Sequence, residues 1–239
     1  MTNTDNAASK PSFDINFDTS VDIGELSQQI EQSVTSQAVA AANHPTRQIP
    51  PLEKWQPKLS GAMDMVVKAN GEWWHEGSQI TRPLLIDLFA KVLWSEVDDN
   101  HQVRYFLKTP VEKWQIQVED APLLVNQVGV INEQFGDTSR PVLQFTTTQG
   151  DVVIADEQHP IRLGLPFTHA TQQDAGLRQK QASQPYLLVR QNGGSALYGL
   201  IHRNVFYHLI ELGELVEGEE GTSLILHSGD STFTLTMTA

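Results

Sequence analysis

Asn70-Gly71-Glu72-Trp73-Trp74-His75-Glu76-Gly77-Ser78-Gln79-Ile80-Thr81-Arg82 returns in a second version as Asn192-Gly193-Gly194-Ser195-Ala196-Leu197-Tyr198-Gly199-Leu200-Ile201-His202-Arg203. The two stretches share the Asn-Gly pair, the later glycine, the isoleucine and the arginine. After each arginine the apolar spacing is also the same: Leu84, Leu85 and Leu88 in the first copy, Val205, Phe206 and Leu209 in the second. Internal similarity of this kind says that one supersecondary unit was built twice.

Working outward, Met63 to Lys68 runs into Asn70-Gly71 and returns through Trp73 and Trp74, a hairpin signal. Thr81 then precedes an expected helix from Arg82 to Trp94, with Pro83 in its first turn and Leu84, Leu85, Leu88, Phe89, Val92 and Leu93 on one apolar face. Strands are expected at Val103 to Lys108 and Lys113 to Glu119. The second copy repeats the order with Tyr186 to Arg190, a return through Leu197 and Tyr198, a helix over Arg203 to Leu212, and strands at Ser223 to His227 and Ser231 to Met237. Between the copies, Leu123 to Asn132, Val142 to Thr147 and Asp151 to Ile154 read as further antiparallel strands, and 166–184 as a long polar loop. The acidic runs Glu96 to Asp99 and Glu211 to Glu220 read as solvated loops beyond the helix ends.

The expected fold class is α+β: two tandem related subdomains, each an antiparallel sheet of hairpins packed on one helix. The divisions are 46–122 for the first repeat and 123–239 for the second. Residues 1–45 read as a disordered tail holding an amphipathic helix within 20–42, where Asp22 and Glu25 have capping-box spacing. Because the repeat lies wholly downstream, removal of residues 1–45 is expected to leave the folded body intact.

Composition excludes several classes of function. The 239 residues contain no cysteine, so disulfides, thiolate metal sites and cysteine nucleophiles are absent. The formal charge of -13 opposes binding to nucleic acid or to an anionic membrane surface. There is no apolar run long enough for a membrane span. Nor does the start carry a basic and apolar leader, so cytoplasmic residence is expected. His75-Glu76 begins like a zincin motif, but position 79 is Gln and the segment is a strand. No metal and no cofactor are expected, and there is no Gly-x-Ser-x-Gly elbow, Walker loop or Rossmann fingerprint.

A longer series of motifs carries a family resemblance. Pro51-Leu52-Glu53-Lys54-Trp55-Gln56-Pro57, Gly71 to Gly77 with Ile80-Thr81-Arg82, Phe106 to Lys113 and Val118 to Pro122 resemble the bacterial family called domain of unknown function 1285. So do His159-Pro160-Ile161-Arg162 and the stretch from Pro185-Tyr186 to Tyr207. The chain departs from the family pattern at Trp74, Gln79 and Leu123. The resemblance implies a duplicated α+β core whose second half is superficially like pleckstrin-homology folds. It also implies a ligand-binding or signalling role, with no established reaction.

Candidate site residues follow from comparing the copies. Arg82 and Arg203 occur in both, each beside a helix start, and are read either as an anion clamp or as structural ties. Thr109, Glu112 and Lys113 occur in one copy only, where the other has an ordinary polar turn. Asp120 stands at the end of the next strand, either as a site carboxylate or as a turn cap. Trp73 and Trp74 must face opposite sides of a strand, one toward the core and one free to line a cleft. The expected function is a non-catalytic binding module with its ligand, a small anion or a protein or peptide, in the cleft between the subdomains. The alternative is a hydrolase using Glu112, Asp120 or His159 as acid or base.

Overall fold

In the computed structural model, residues 22–35, 49–100, 102–166, 168–169, 182–219 and 221–237 are described. They form two tandem domains, each a mixed sheet with a helix, and a small third sheet at the end of the chain. Most of the expected tail at 1–45 and most of the expected loop at 166–184 lie outside the described residues.

The first domain opens with helix α1, Ile23–Thr35, and a 3-10 turn at Leu52–Lys54. Strands β1 (Leu59–Val67), β2 (Trp73–His75) and β3 (Ser78–Gln79) lead to helix α2, Pro83–Lys91. The hairpin register of β4 (Leu93–Val97), β5 (Gln102–Lys108) and β6 (Lys113–Val118) completes it. The sheet closes because β6 runs parallel to β1, with Val67 opposite Val118. A short strand β11, Thr168–His169, reaches back from the second half and pairs parallel to β5.

The second domain holds β7 (Leu123–Phe135), β8 (Thr138–Thr147), β9 (Val152–Ile154), β10 (Ile161–Leu163), β12 (Pro185–Asn192) and β13 (Ser195–Ile201). Their order is β10-β12-β13-β7-β8-β9, with β13 and β7 the one parallel pair. Strands β9 and β10 are consecutive in the chain yet lie at opposite ends of this order. The short link from Ala155 to Pro160 therefore requires the sheet to curl until its ends approach. Helix α3 (Arg203–Leu212) follows β13, and β14 (Glu214–Gly218), β15 (Gly221–Ser228) and β16 (Ser231–Met237) form the separate third sheet. In the first domain the last strand of the unit joins the first. In the second, the free edge of β12 is already taken by β10, so β16 cannot do so.

Both expected hairpins and both helices are present. Gly71 and Gly194 supply the positive φ the two hairpin turns need, at 85° and 92°. Three local expectations are corrected. Helix α2 ends at Lys91, because Leu93 to Val97 leave the helix to pair with Val103 to Leu107. Burial of three successive residues, Leu93 to Ser95, between sheet and second domain outweighs the helical periodicity. Leu84, placed on the apolar face from sequence, is 85% exposed. The acidic runs are loops only in part: Glu96 lies in β4, where it accepts from Lys113, and Glu214 to Glu217 lie in β14, whereas Asp98 and Asp99 fall in the β4–β5 turn.

A further finding concerns the N-terminal segment. Asp22 caps α1 by accepting from the Gly24 and Glu25 amides at 2.7 and 3.4 Å. The helix packs on α2 and buries Leu26 and Ile30, at 2% and 0% exposure, within the main core. Leu26 and Ile30 thus belong to the folded core. Ile30→Ala is expected to cost about 2–4 kcal/mol in a urea melt, the usual effect of emptying a filled core site. A loss below about 0.5 kcal/mol would show that α1 contributes nothing to the core.

Candidate functional site

The two domains meet through buried polar contacts. Arg190 of β12 donates from Nε and Nη2 to the carboxylate of Asp151 at 2.7 and 2.8 Å, a bidentate pair. Its remaining Nη1 donates to the Ala90 carbonyl at 2.6 Å, near the C-terminal end of α2, where a cation meets the negative end of the helix dipole. Thr147 completes the set, its hydroxyl donating to Asp151 at 2.9 Å and accepting from the Asp151 amide. Beside this pair, the Ser95 amide donates to the Ser195 hydroxyl, and the Ser95 hydroxyl bridges the Ala196 carbonyl and amide. Further along, the Tyr186 hydroxyl donates to Asp120 at 2.7 Å. Burial, then the Asp120 charge and that hydrogen bond, push the Tyr186 hydroxyl far above its ordinary range. Tyr105 is raised for similar reasons, by burial, by Asp120 and by Tyr198.

The residues singled out from sequence are placed as follows. Trp73 is fully buried and stacks on Phe89, with ring centroids 6.2 Å apart. Trp74 is half-buried and donates to Glu72 at 3.0 Å. Arg82 and Arg203 are exposed at the starts of α2 and α3, and Arg203 turns back onto the Tyr207 hydroxyl at 2.7 and 2.9 Å. Thr109 is buried and forms the β5–β6 turn, its hydroxyl accepting from the Glu112 amide. Glu112 accepts from the Trp114 indole at 3.2 Å, and Lys113 reaches both oxygens of Glu96. Nearby, Lys108 lies 3.8 Å over the Trp94 ring, and burial holds its ammonium below the usual lysine range. These side chains do not converge. Glu112 and Asp120 stand at opposite ends of β6, roughly 25 Å apart at strand rise. Glu112 and Asp120 therefore cannot act together on one small substrate, and His159 stands in the second domain, just before β10. Among the described residues, no cluster of three His, Asp or Glu side chains could hold a metal.

What the structure does form is a cavity of about 610 Å³ in the second domain. Its long wall is β9 with the turn that follows, Asp151 to His159. Opposite stand the β15–β16 turn at Ser228, Asp230 and Ser231, and the far end of the β7–β8 hairpin at Glu133 and Phe135. The Arg190–Asp151 pair lies at its base, and Ile49 enters from the segment before the 3-10 turn. Five carboxylates line it, Glu133, Asp151, Asp156, Glu157 and Asp230, against the single guanidinium of Arg190. Asp230 is also paired with Arg140. Asp156 caps its own turn, accepting from the Gln158 and His159 amides at 2.9 and 2.7 Å. The walls between are apolar, from Phe135, Val142, Val153 and Val189.

None of the eight binding candidates read from sequence lines this cavity, and of the residues weighed for the hydrolase alternative only His159 does. Comparing the copies directed attention to differences within the duplicated unit, whereas the cavity is walled by the unduplicated hairpin between them. The signal that could have found it is the polar run Asp156-Glu157-Gln158-His159, set between two short apolar strands.

The chain matches the domain of unknown function (DUF1285), N-terminal domain, over residues 50–121 and the protein of unknown function (DUF1285), C-terminal domain, over residues 122–235. It belongs to the DUF1285 family. A solved DUF1285 family protein from Silicibacter pomeroyi DSS-3 is 34% identical, covers 83% of this chain and 97% of its own, and superposes with a TM-score of 0.60. A second, from Shewanella baltica OS155, is 25% identical over 62% of this chain and 91% of its own, with a TM-score of 0.38. No curated protein matches. No helix among the described residues is long and apolar enough to cross a membrane.

In this DUF1285 protein the buried pair and the exposed arginine should behave differently. Asp151→Asn and Arg190→Met are each expected to cost about 3–5 kcal/mol, because each strands a buried charge. Arg190→Lys should recover little, since one ammonium cannot serve two carboxylate oxygens and the Ala90 carbonyl together. Arg203→Ala should stay within about 0.5 kcal/mol of the parent. Urea melts of the four variants check this, and a cost below about 1 kcal/mol for Arg190→Met would contradict it.

Proposed function

We propose that this DUF1285 protein is a non-catalytic binding module whose ligand sits in the cavity beside β9 and carries positive charge on an apolar body. The observation that carries the reading is the lining: five carboxylates, of which Asp151 and Asp230 are paired with Arg190 and Arg140, around an apolar interior, in a volume suited to a ligand. An anion would meet the wrong sign there. The arginines that suggested an anionic ligand are exposed at helix starts and do not line the cavity. The separation of Glu112 from Asp120 along β6 counts against the two as one acid–base pair. A binding module of this kind suits the signalling role that the family resemblance implies, with occupancy of the cavity as the signal.

The cavity base also suits such a role. Arg190 touches the lining on one side and the end of α2 on the other, so a ligand that perturbs Asp151 alters a contact between the two domains.

Calorimetric titration with spermidine tests the reading. Saturable one-to-one binding is expected, weakened about tenfold or more in the Glu133→Gln/Glu157→Gln double variant, as follows when two charge-assisted contacts are lost. Citrate should not bind. Absence of saturable binding, or affinity unchanged in the double variant, would overturn it.

A further inference from the structure

The backbone of β9 carries the cavity's chemistry further than its charge does. We propose that the cavity takes an extended basic peptide, which adds as a new strand along the free edge of β9; this rests on the reading of the cavity as a site for cationic ligands.

The register decides which way the β9 backbone faces. Val153 pairs with Phe145 of β8, the Asp151 carbonyl accepts from the Thr147 amide at 2.9 Å, and the Ala155 amide donates to the Leu143 carbonyl at 2.9 Å. The odd-numbered residues therefore direct their backbone groups at β8. Strand geometry then turns the N–H and C=O of Val152 and Ile154 to the opposite edge. Strand β9 is the last in its sheet, so no described strand meets that edge, and both residues line the cavity. Two outward residues spaced about 7 Å apart match the repeat of an antiparallel partner.

The same edge argues for a peptide over a simple polyamine. Two carbonyls and two amides point outward together, and a polyamine supplies donors for the carbonyls but no acceptor for the amides. A peptide backbone supplies both, as in other cases of strand addition. Edge strands are commonly blunted by lysine, proline or a bulge. Here Asp151 to His159 contains no lysine or proline, and the nearby carboxylates of Asp156 and Glu157 leave the edge open to a partner of opposite charge. A second copy of this chain would instead bring the same carboxylates face to face. The groove is short. The Ser228 hydroxyl accepts from the Leu143 amide at 2.9 Å and donates to the Ala155 carbonyl at 2.6 Å, so the β15–β16 turn closes the ladder just past β9.

The test uses the full chain and a fluorescein-labelled (Lys-Val)4 peptide, followed by fluorescence anisotropy. The peptide is expected to bind, spermidine to compete with it, and (Glu-Val)4 to fail. N-methylation of the central amides keeps the charge but removes the donors and should weaken binding at least about tenfold. Ile154→Pro removes one outward amide without touching the bonds to β8, and should weaken the peptide at least about tenfold. If the methylated peptide binds as well as the parent and spermidine competes equally with both, strand addition is wrong while the cation site stands. If neither peptide nor spermidine binds, the cation site fails with it. Peptide binding that spermidine does not displace, or self-association of the chain through this edge, would also overturn the proposal.

Discussion

The Arg190 guanidinium is committed on every side. Two of its nitrogens hold Asp151 and the third holds the Ala90 carbonyl, and the whole group is buried at the contact of β12, the start of β9 and the end of α2. A charge can be buried only when it is paired and its hydrogen-bonding groups are met, so these three elements are bound to one arrangement. The curl of the second sheet follows from it. Its terminal strand β9 must come back to within hydrogen-bond reach of β12, across the gap that the sheet order leaves between them. That gap is the cavity. The interaction that joins the domains thus also sets the base of the candidate site.

The duplication explains both what the halves share and where they part. Each begins with a glycine-turned hairpin that runs into a helix and then three strands. In the first half the last strand lies parallel to the first and completes one sheet. In the second, β10 occupies that edge, the last three strands form their own sheet, and the parallel partner of the hairpin is β7. The displaced β15–β16 turn then lies over the end of β9, where Ser228 bridges Leu143 and Ala155. The inserted β7–β8 hairpin thus walls the cavity, while β10 diverts the repeat.

The sequence was legible where periodicity and repetition carry the signal. The Asn-Gly turns and the two helices could be read without coordinates. Leu93 to Val97 could not, because a short apolar run continuing a helix is distinguished from a strand only by its partner, and that partner is β5. The weight of α1 was hidden for a related reason: Leu26 and Ile30 gain from burial against α2, a contact remote in sequence. Site residues were the least legible. Thr109, Glu112 and Asp120 are polar and distinctive in sequence, and their side chains bond to a turn amide, an indole and a tyrosine. Arg190, which matters most, looks in sequence like an ordinary strand residue, because nothing local reveals that Asp151 and Ala90 converge on it.

The central claim is that the site for a cationic ligand lies between β9 and the β15–β16 turn, above the Arg190–Asp151 pair. Amide chemical-shift mapping of the isotope-labelled chain during titration with spermidine tests it most directly. The account predicts saturating shifts concentrated at Val152 to His159 and at Ser228 to Ser231, with Ala90 following through Arg190. Shifts centred on Trp74, Arg82 and Lys113 instead, or drifting without saturation over all acidic surfaces, would contradict it.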